Sequence, residues 1–202
     1  MKKGVFFGVG LVLLTLVTTA CWGSELPYIG LSVGIVMPND SSMRVVDDDI
    51  SFKYDDGFAA AVALGQRFGR FRGEIEFSYL RFKLDTATYQ QLSTSVDGAF
   101  SSLSLLANGY LDFVNDSAVT PFLTAGIGGS RVRIGDTGYA ALEGDNDTVF
   151  AYQVGAGVGV ALDTETSIEL KYRYFGTEDL NFERGKMNFS AHNLFCCLRY
   201  SF

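Results

Sequence analysis

Every second residue from Leu194 to Phe202 is apolar: Leu194, Cys196, Leu198, Tyr200 and Phe202 form one row, and Asn193, Phe195, Cys197, Arg199 and Ser201 form the other. Successive side chains of a strand point to opposite faces, so a period of two predicts a strand with one lipid-compatible face and one mixed, mostly polar face. The same division recurs. In residues 26–37, Ile29, Leu31, Val33, Ile35 and Met37 oppose Tyr28, Gly30, Ser32 and Gly34; in 57–68, Phe58, Ala60, Val62 and Leu64 oppose Ala59, Ala61, Ala63 and Gly65. In 71–84, Ile75, Phe77 and Tyr79 oppose Arg72, Glu74, Glu76 and Ser78. Further alternating segments at 98–113, 120–134, 148–162, 166–176 and 187–202 bring the expected strands to eight.

Alternation alone does not say which face looks outward, since a soluble ligand-binding barrel would turn the apolar rows in. The two ends of the chain decide it. Lys2 and Lys3 precede an uncharged, mostly apolar run from Gly4 to Val17 and the small residues Thr18, Thr19 and Ala20, which is the layout of a secretory signal. Residues 1–23 are therefore expected to be an export signal and 24–202 a single domain. No later stretch approaches the ~20 apolar residues of a spanning helix, so a membrane would be crossed by strands. With a terminal aromatic at Phe202, the reading is an all-β fold: a closed, antiparallel, eight-stranded transmembrane β-barrel in an outer membrane.

Closure is required because backbone amides in hydrocarbon find partners only within the protein. Eight strands enclose a space that side chains fill. The expected filling is an ion-pair network of Arg67, Arg72, Glu74, Glu76, Asp112, Glu169, Lys171, Arg173 and Arg199, nearly balanced in sign. A narrow conducting path lined by the same charges is the alternative.

Connections alternate in length. Gly69 with Arg70, Asn115 to Val119 and Asp163 to Glu165 are short and rich in turn residues, whereas 38–56, 85–97, 135–147 and 177–186 are long. Short periplasmic turns and four long extracellular loops follow, with both termini on the periplasmic side. The long loops carry net charges of −4, −2, −4 and −1. Asp47, Asp48 and Asp49 in the first, and Glu143, Asp145 and Asp147 in the third, are the candidate contacts for a basic host or environmental ligand; the same acids also keep an exposed rim soluble.

Other chemistry is thinly represented. Asp145, Asn146 and Asp147 lack the spacing and closing glutamate of an EF-hand, so no metal or cofactor is expected, and nothing marks a nucleic-acid site. Ser190 and His192 share one strand face, but their nearest acid in sequence, Glu183, lies in a loop; the chain is read as no enzyme. Cys196 and Cys197 point to opposite faces and are expected to pack. Cys21 lies at the signal boundary, where cleavage and lipidation both remain open. Arg81, Lys83, Arg131 and Arg133 fall at the outer strand ends, at headgroup depth, suited to anionic lipid or to interfacial anchoring.

Three segments carry a family resemblance: Thr120 to Gly128, Phe150 to Val158 and Leu170 to Phe175. Together they resemble the eight-stranded surface barrels of Gram-negative bacteria, the group of opacity proteins and outer membrane protein A. Residues 51–54, 57–62 and 71–79 are similar, more narrowly, to the surface antigens of rickettsia-like intracellular bacteria. The resemblance implies an adhesin or immune-exposed surface antigen, or a structural envelope protein; a porin-like narrow pore is the alternative that the lumen charges raise. It supplies no catalytic motif. It also implies that Leu194, Leu198, Tyr200 and Phe202 form the assembly signal read by the barrel-assembly machinery. No peptidoglycan-binding domain follows residue 202 in this sequence, so the resemblance does not extend to wall anchoring.

Overall fold

The computed structural model describes residues 27–39, 41–45, 48–89, 92–134, 146–178, 180–182, 185–187 and 189–202. The expected signal segment and Cys21 lie outside them. Among the described residues twelve strands appear in chain order: β1 (Pro27–Pro38), β2 (Ser41–Val45), β3 (Asp48–Tyr54), β4 (Gly57–Phe68), β5 (Phe71–Tyr89), β6 (Leu92–Asp112), β7 (Val119–Ile134), β8 (Asn146–Ala161), β9 (Thr166–Thr177), β10 (Leu180–Phe182), β11 (Gly185–Met187) and β12 (Ser190–Ser201).

Eight of them are the staves of a closed antiparallel barrel, running β1, β4, β5, β6, β7, β8, β9, β12 and back to β1. The seam joins β1 to β12 in continuous register from Tyr28 opposite Ser201 to Pro38 opposite Ala191. The amide of Phe202 extends the seam by donating to the Pro27 carbonyl at 3.0 Å. The other four strands lie beyond the long-connection rim: β3 pairs with the outer end of β5, β2 with β3, β11 with β2, and β10 with β11.

That rim differs from a ring of irregular loops. The 85–97 segment is mostly hairpin, because β5 runs to Tyr89 and β6 begins at Leu92. Parts of 38–56 and 177–186 are also paired. An apolar row is imposed only where a strand faces hydrocarbon, so antiparallel pairing that continues into water leaves no such signature. Segment 85–97 does contain the strand formers Thr86, Thr88, Tyr89, Thr94 and Val96.

The short rim is held by local polar chemistry. Gly69 takes φ of 63° in the two-residue β4–β5 turn, a conformation that favours glycine. Between β6 and β7 the Asn115 side chain accepts from the Ser117 amide at 2.8 Å and donates to the Val119 carbonyl at 3.1 Å. Between β8 and β9, Asp163 Oδ1 accepts from the amides of Glu165 and Thr166 at 2.8 and 2.6 Å.

The apolar rows face outward along the staves. Leu31, Val33, Phe77, Leu105, Ile127 and Leu170 are each about half exposed or more, whereas Arg72, Glu74, Glu76, Glu169, Lys171 and Arg173 are buried.

Candidate functional site

The lumen holds two layers of different chemistry. Toward the short-turn rim, bulky polar side chains from β5, β6, β9 and β12 meet the small inner faces of the other staves. Arg72 is the hub. Its guanidinium donates to Asp112 through Nε at 2.9 Å and NH2 at 2.8 Å, and to Glu169 Oε1 through NH1 at 2.9 Å. The guanidinium carbon lies 4.4 Å from the Tyr110 ring centre and 5.1 Å from that of Phe122, so the cation is also held by ring faces. Glu169 receives Arg199 at 3.0 Å and Lys171 at 3.4 Å, while the Tyr28 hydroxyl donates to Glu74 at 2.9 Å. One step higher, Arg173 donates to both Glu76 oxygens at 2.8 Å, and Asn108 and Gln153 complete the group.

All nine residues expected in the network therefore face the lumen and form ion pairs or hydrogen bonds there. Arg67 is the peripheral member: its side chain is 40% exposed and it reaches Asp112 at 3.5 Å. Arg67 and Arg199 line a vestibule of about 330 Å³ at the short-turn end, with Tyr28, Glu165 and Ser201 in its wall. The Arg72–Asp112–Glu169 group lies at its inner side.

The second layer went unrecognised in the sequence. Toward the long rim the lumen is filled by Val36, Leu80, Phe82, Phe100, Val132, Phe175 and Phe189, all buried. Phe82, Phe100 and Phe189 form a mutual stack with centroids 4.6 to 5.3 Å apart. A triad of buried hydroxyls, Ser102, Ser104 and Ser130, lies along the same staves, with Ser102 and Ser130 2.6 Å apart. The available signal was inversion of the alternation: Leu80 and Phe82 face in where Arg81 and Lys83 face out.

The remaining candidates have partners or faces of their own. His192 stands on the outer wall, where Nδ1 lies 2.6 Å from the Tyr172 hydroxyl and the ring stacks on Tyr172. Ser190 Oγ instead accepts from Asn39 Nδ2 at 2.9 Å, so the two potential catalytic groups have different partners. Cys196 is exposed on the outer wall and Cys197 is buried in the lumen, and both are free thiols. Leu194, Leu198, Tyr200 and Phe202 are exposed on the outer face at β12. Of the acidic loop residues, Asp48 and Asp49 fall on β3 and Asp147 on β8, while Asp47, Glu143 and Asp145 lie outside the described residues.

Comparison with known proteins follows the same architecture. The family model for the outer membrane protein beta-barrel domain matches residues 9–202. A 96-residue stretch, 45% of the chain, is 26% identical to outer membrane protein PagN of Salmonella typhimurium (strain LT2), and the match spans 40% of that relative's length. Neisserial surface protein A superposes with a TM-score of 0.56 at 19% identity, over 87% of this chain and 97% of that one. OprG from Pseudomonas aeruginosa superposes at 0.57 with 14% identity, over 88% and 96%. Both structural likenesses are likenesses of fold.

Proposed function

This chain belongs to the outer membrane protein beta-barrel domain family, and we propose that it acts as a surface-exposed binding protein, an adhesin or immune-exposed antigen, through its long-connection rim. It resides in the outer membrane with that rim at the cell surface. The observation that carries the reading is the inequality of the two rims. One is trimmed to turns of a few residues; the other extends the sheet beyond the staves by a β5–β6 hairpin and four further strands. Paired strands outside the membrane contribute nothing to crossing it, and they give connecting segments a rigid platform on which binding residues are held.

The lumen supports a scaffold in preference to a conduit. Charged groups fill its short-turn half and stacked rings its other half, as an eight-stranded barrel's width favours. Binding through the rim needs no covalent step, and Ser190 and His192 each hydrogen-bond to a different partner. The acidic residues Asp48, Asp49 and Asp147 on the extended strands, with Asp47, Glu143 and Asp145 nearby in sequence, favour a ligand with a basic face. On the same reading, residues 1–23 leave on export, and the outward row Leu194, Leu198, Tyr200 and Phe202 engages the barrel-assembly machinery.

Replacing residues 41–54 with a short Gly-Ser turn tests the proposal. Adhesion of cells expressing the chain to epithelial monolayers and to beads coated with basic polypeptide should fall, while heat-shifted gel mobility stays unchanged. Equal adhesion by the shortened protein would overturn it in favour of a purely structural envelope role. Steady single-channel conductance in planar bilayers would favour the porin-like alternative.

A further inference from the structure

Among the described residues, the exposed cations of the staves' outer wall are confined to one arc. Arg81 and Lys83 on β5 and Arg131 and Arg133 on β7 are exposed. Among the described residues, the outward faces of β1, β4, β8, β9 and β12 carry no Lys or Arg; the other stave cations, Arg67, Arg72, Lys171, Arg173 and Arg199, face the lumen. A set that served only to anchor the barrel at the interface would be distributed around it. Here four cations lie on two staves separated by a single strand.

The register gives the arrangement. On the intervening β6, Ser101 is opposite both Arg81 and Arg133, and Leu103 is opposite both Tyr79 and Arg131. Two strand spacings place the backbones of Arg81 and Arg133 about 10 Å apart, with small side chains, Ser101 and Ala99, between them. Arg81 and Arg133 engage no carboxylate among the described residues. Asp55 and Asp56 lie beside Lys83, where the Asp55 amide donates to the Lys83 carbonyl at 3.1 Å.

Depth is fixed by the pattern of the staves. Below the cations the outer wall is apolar, with Phe77, Leu105 and Ile127 at 48%, 52% and 59% exposure. At the cations the pattern inverts, since Leu80, Phe82 and Val132 turn inward. The inversion marks the level at which hydrocarbon ends and headgroups begin.

We propose that Arg81, Lys83, Arg131 and Arg133 form a docking site for a lipid whose headgroup carries anionic phosphate, with its acyl chains lying along Phe77, Leu105 and Ile127. The basic pairs receive the phosphate from either side of Ser101, and the apolar wall below supplies the chain contact. The site is a feature of the barrel wall and is independent of what the rim binds.

Native mass spectrometry of the full refolded chain in neutral detergent, titrated with phosphatidic acid, tests this, with phosphatidylcholine as the neutral control. Wild type should retain phosphatidic acid in preference to phosphatidylcholine, and Arg81→Gln/Arg133→Gln should reduce that retention roughly tenfold. Arg81→Lys/Arg133→Lys should keep it, as should Arg70→Gln at the opposite rim. Heat-shifted mobility verifies folding of each variant; should the double Gln variant fail to fold, Arg133→Gln alone is measured in its place. Undiminished retention by the Gln variant, or equal loss in Arg70→Gln, would overturn the proposal. Displacement by excess inorganic phosphate alone would overturn the lipid assignment in favour of a free-anion site.

Discussion

The half of the lumen next to the short turns is held by charge, and the half next to the long connections by aromatic rings. In the first, Arg72 engages Asp112 and Glu169 under the ring of Tyr110; in the second, Phe82, Phe100 and Phe189 stack on one another. The two fillings tolerate change differently. A buried ion pair depends on both partners being present, because removal of one leaves an uncompensated charge. A packed ring cluster depends on volume, and any apolar group of the right shape restores part of what is lost. The charged half faces an aqueous vestibule, whereas the aromatic half lies under the extended strands of the surface rim.

The largest effect should come from the charged half. Arg72→Ala takes the hub cation from both Asp112 and Glu169, leaving only half-exposed Arg67 for the first and Arg199 and Lys171 for the second, and should cost about 3–5 kcal/mol, read as a lowered urea midpoint of the refolded barrel. The Arg173–Glu76 pair offers the cleaner cycle, since its two ion-paired groups lie one step above the hub. Arg173→Met and Glu76→Met should each be strongly destabilising, and the double variant should recover most of the loss. A double variant as unstable as the sum of its parts would mean that the pair has no special coupling. In the aromatic half, Phe100→Ala should cost about 3 kcal/mol, and Phe100→Leu should recover a substantial share. No second deletion should rescue it, which is the contrast with the charged pair.

A smaller effect joins the two kinds of packing. A Cβ on Gly157 would lie 2.5 Å from Phe122 Cζ and would also meet the Leu170 carbonyl oxygen. Phe122 is one of the rings beneath the Arg72 cation. Gly157→Ala should therefore cost about 1–3 kcal/mol through overpacking. Phe122→Leu in that background should relieve part of the strain, and the absence of any relief would place the cost on the backbone contact with Leu170.

The eight staves and the charged layer were legible because hydrocarbon imposes a strict alternation: Phe77 outward requires Glu76 and Ser78 inward. The aromatic layer was not, because Leu80 and Phe82 extend the apolar character of β5 while changing its face. At Tyr79 the outer row is still apolar, and two residues later it is Arg81. A chain leaving the membrane resumes the apolar-in, polar-out pattern of a soluble barrel with no break in the strand, so periodicity persists while its meaning reverses. The extended strands 41–45 and 48–54 were hidden for a related reason, since antiparallel pairing in water needs no apolar row. Phe189 stands just before β12, and its place in the ring stack follows from tertiary packing alone.

The smallest effect concerns the turn that closes the charged half. Asp163 accepts the amides of Glu165 and Thr166, and these bonds hold its carboxyl below the usual carboxylate range. A carboxyl depressed in the folded state contributes stability above its unfolded pKa of about 3.9, and that contribution is lost as pH falls through the lower folded value. A variant without the titrating group at residue 163 isolates the turn. Asp163→Asn keeps an acceptor oxygen but removes the titrating group. Its stability should trail wild type slightly at pH 6, and the gap should close as the pH falls through the lowered folded pKa of Asp163, because both proteins then carry a neutral acceptor at residue 163. Urea midpoints measured for both proteins from pH 6 to pH 2 give the difference curve. A gap that stays constant across that range would show that the Asp163 charge adds nothing, and that the short rim is held by backbone geometry while charge acts only inside the lumen.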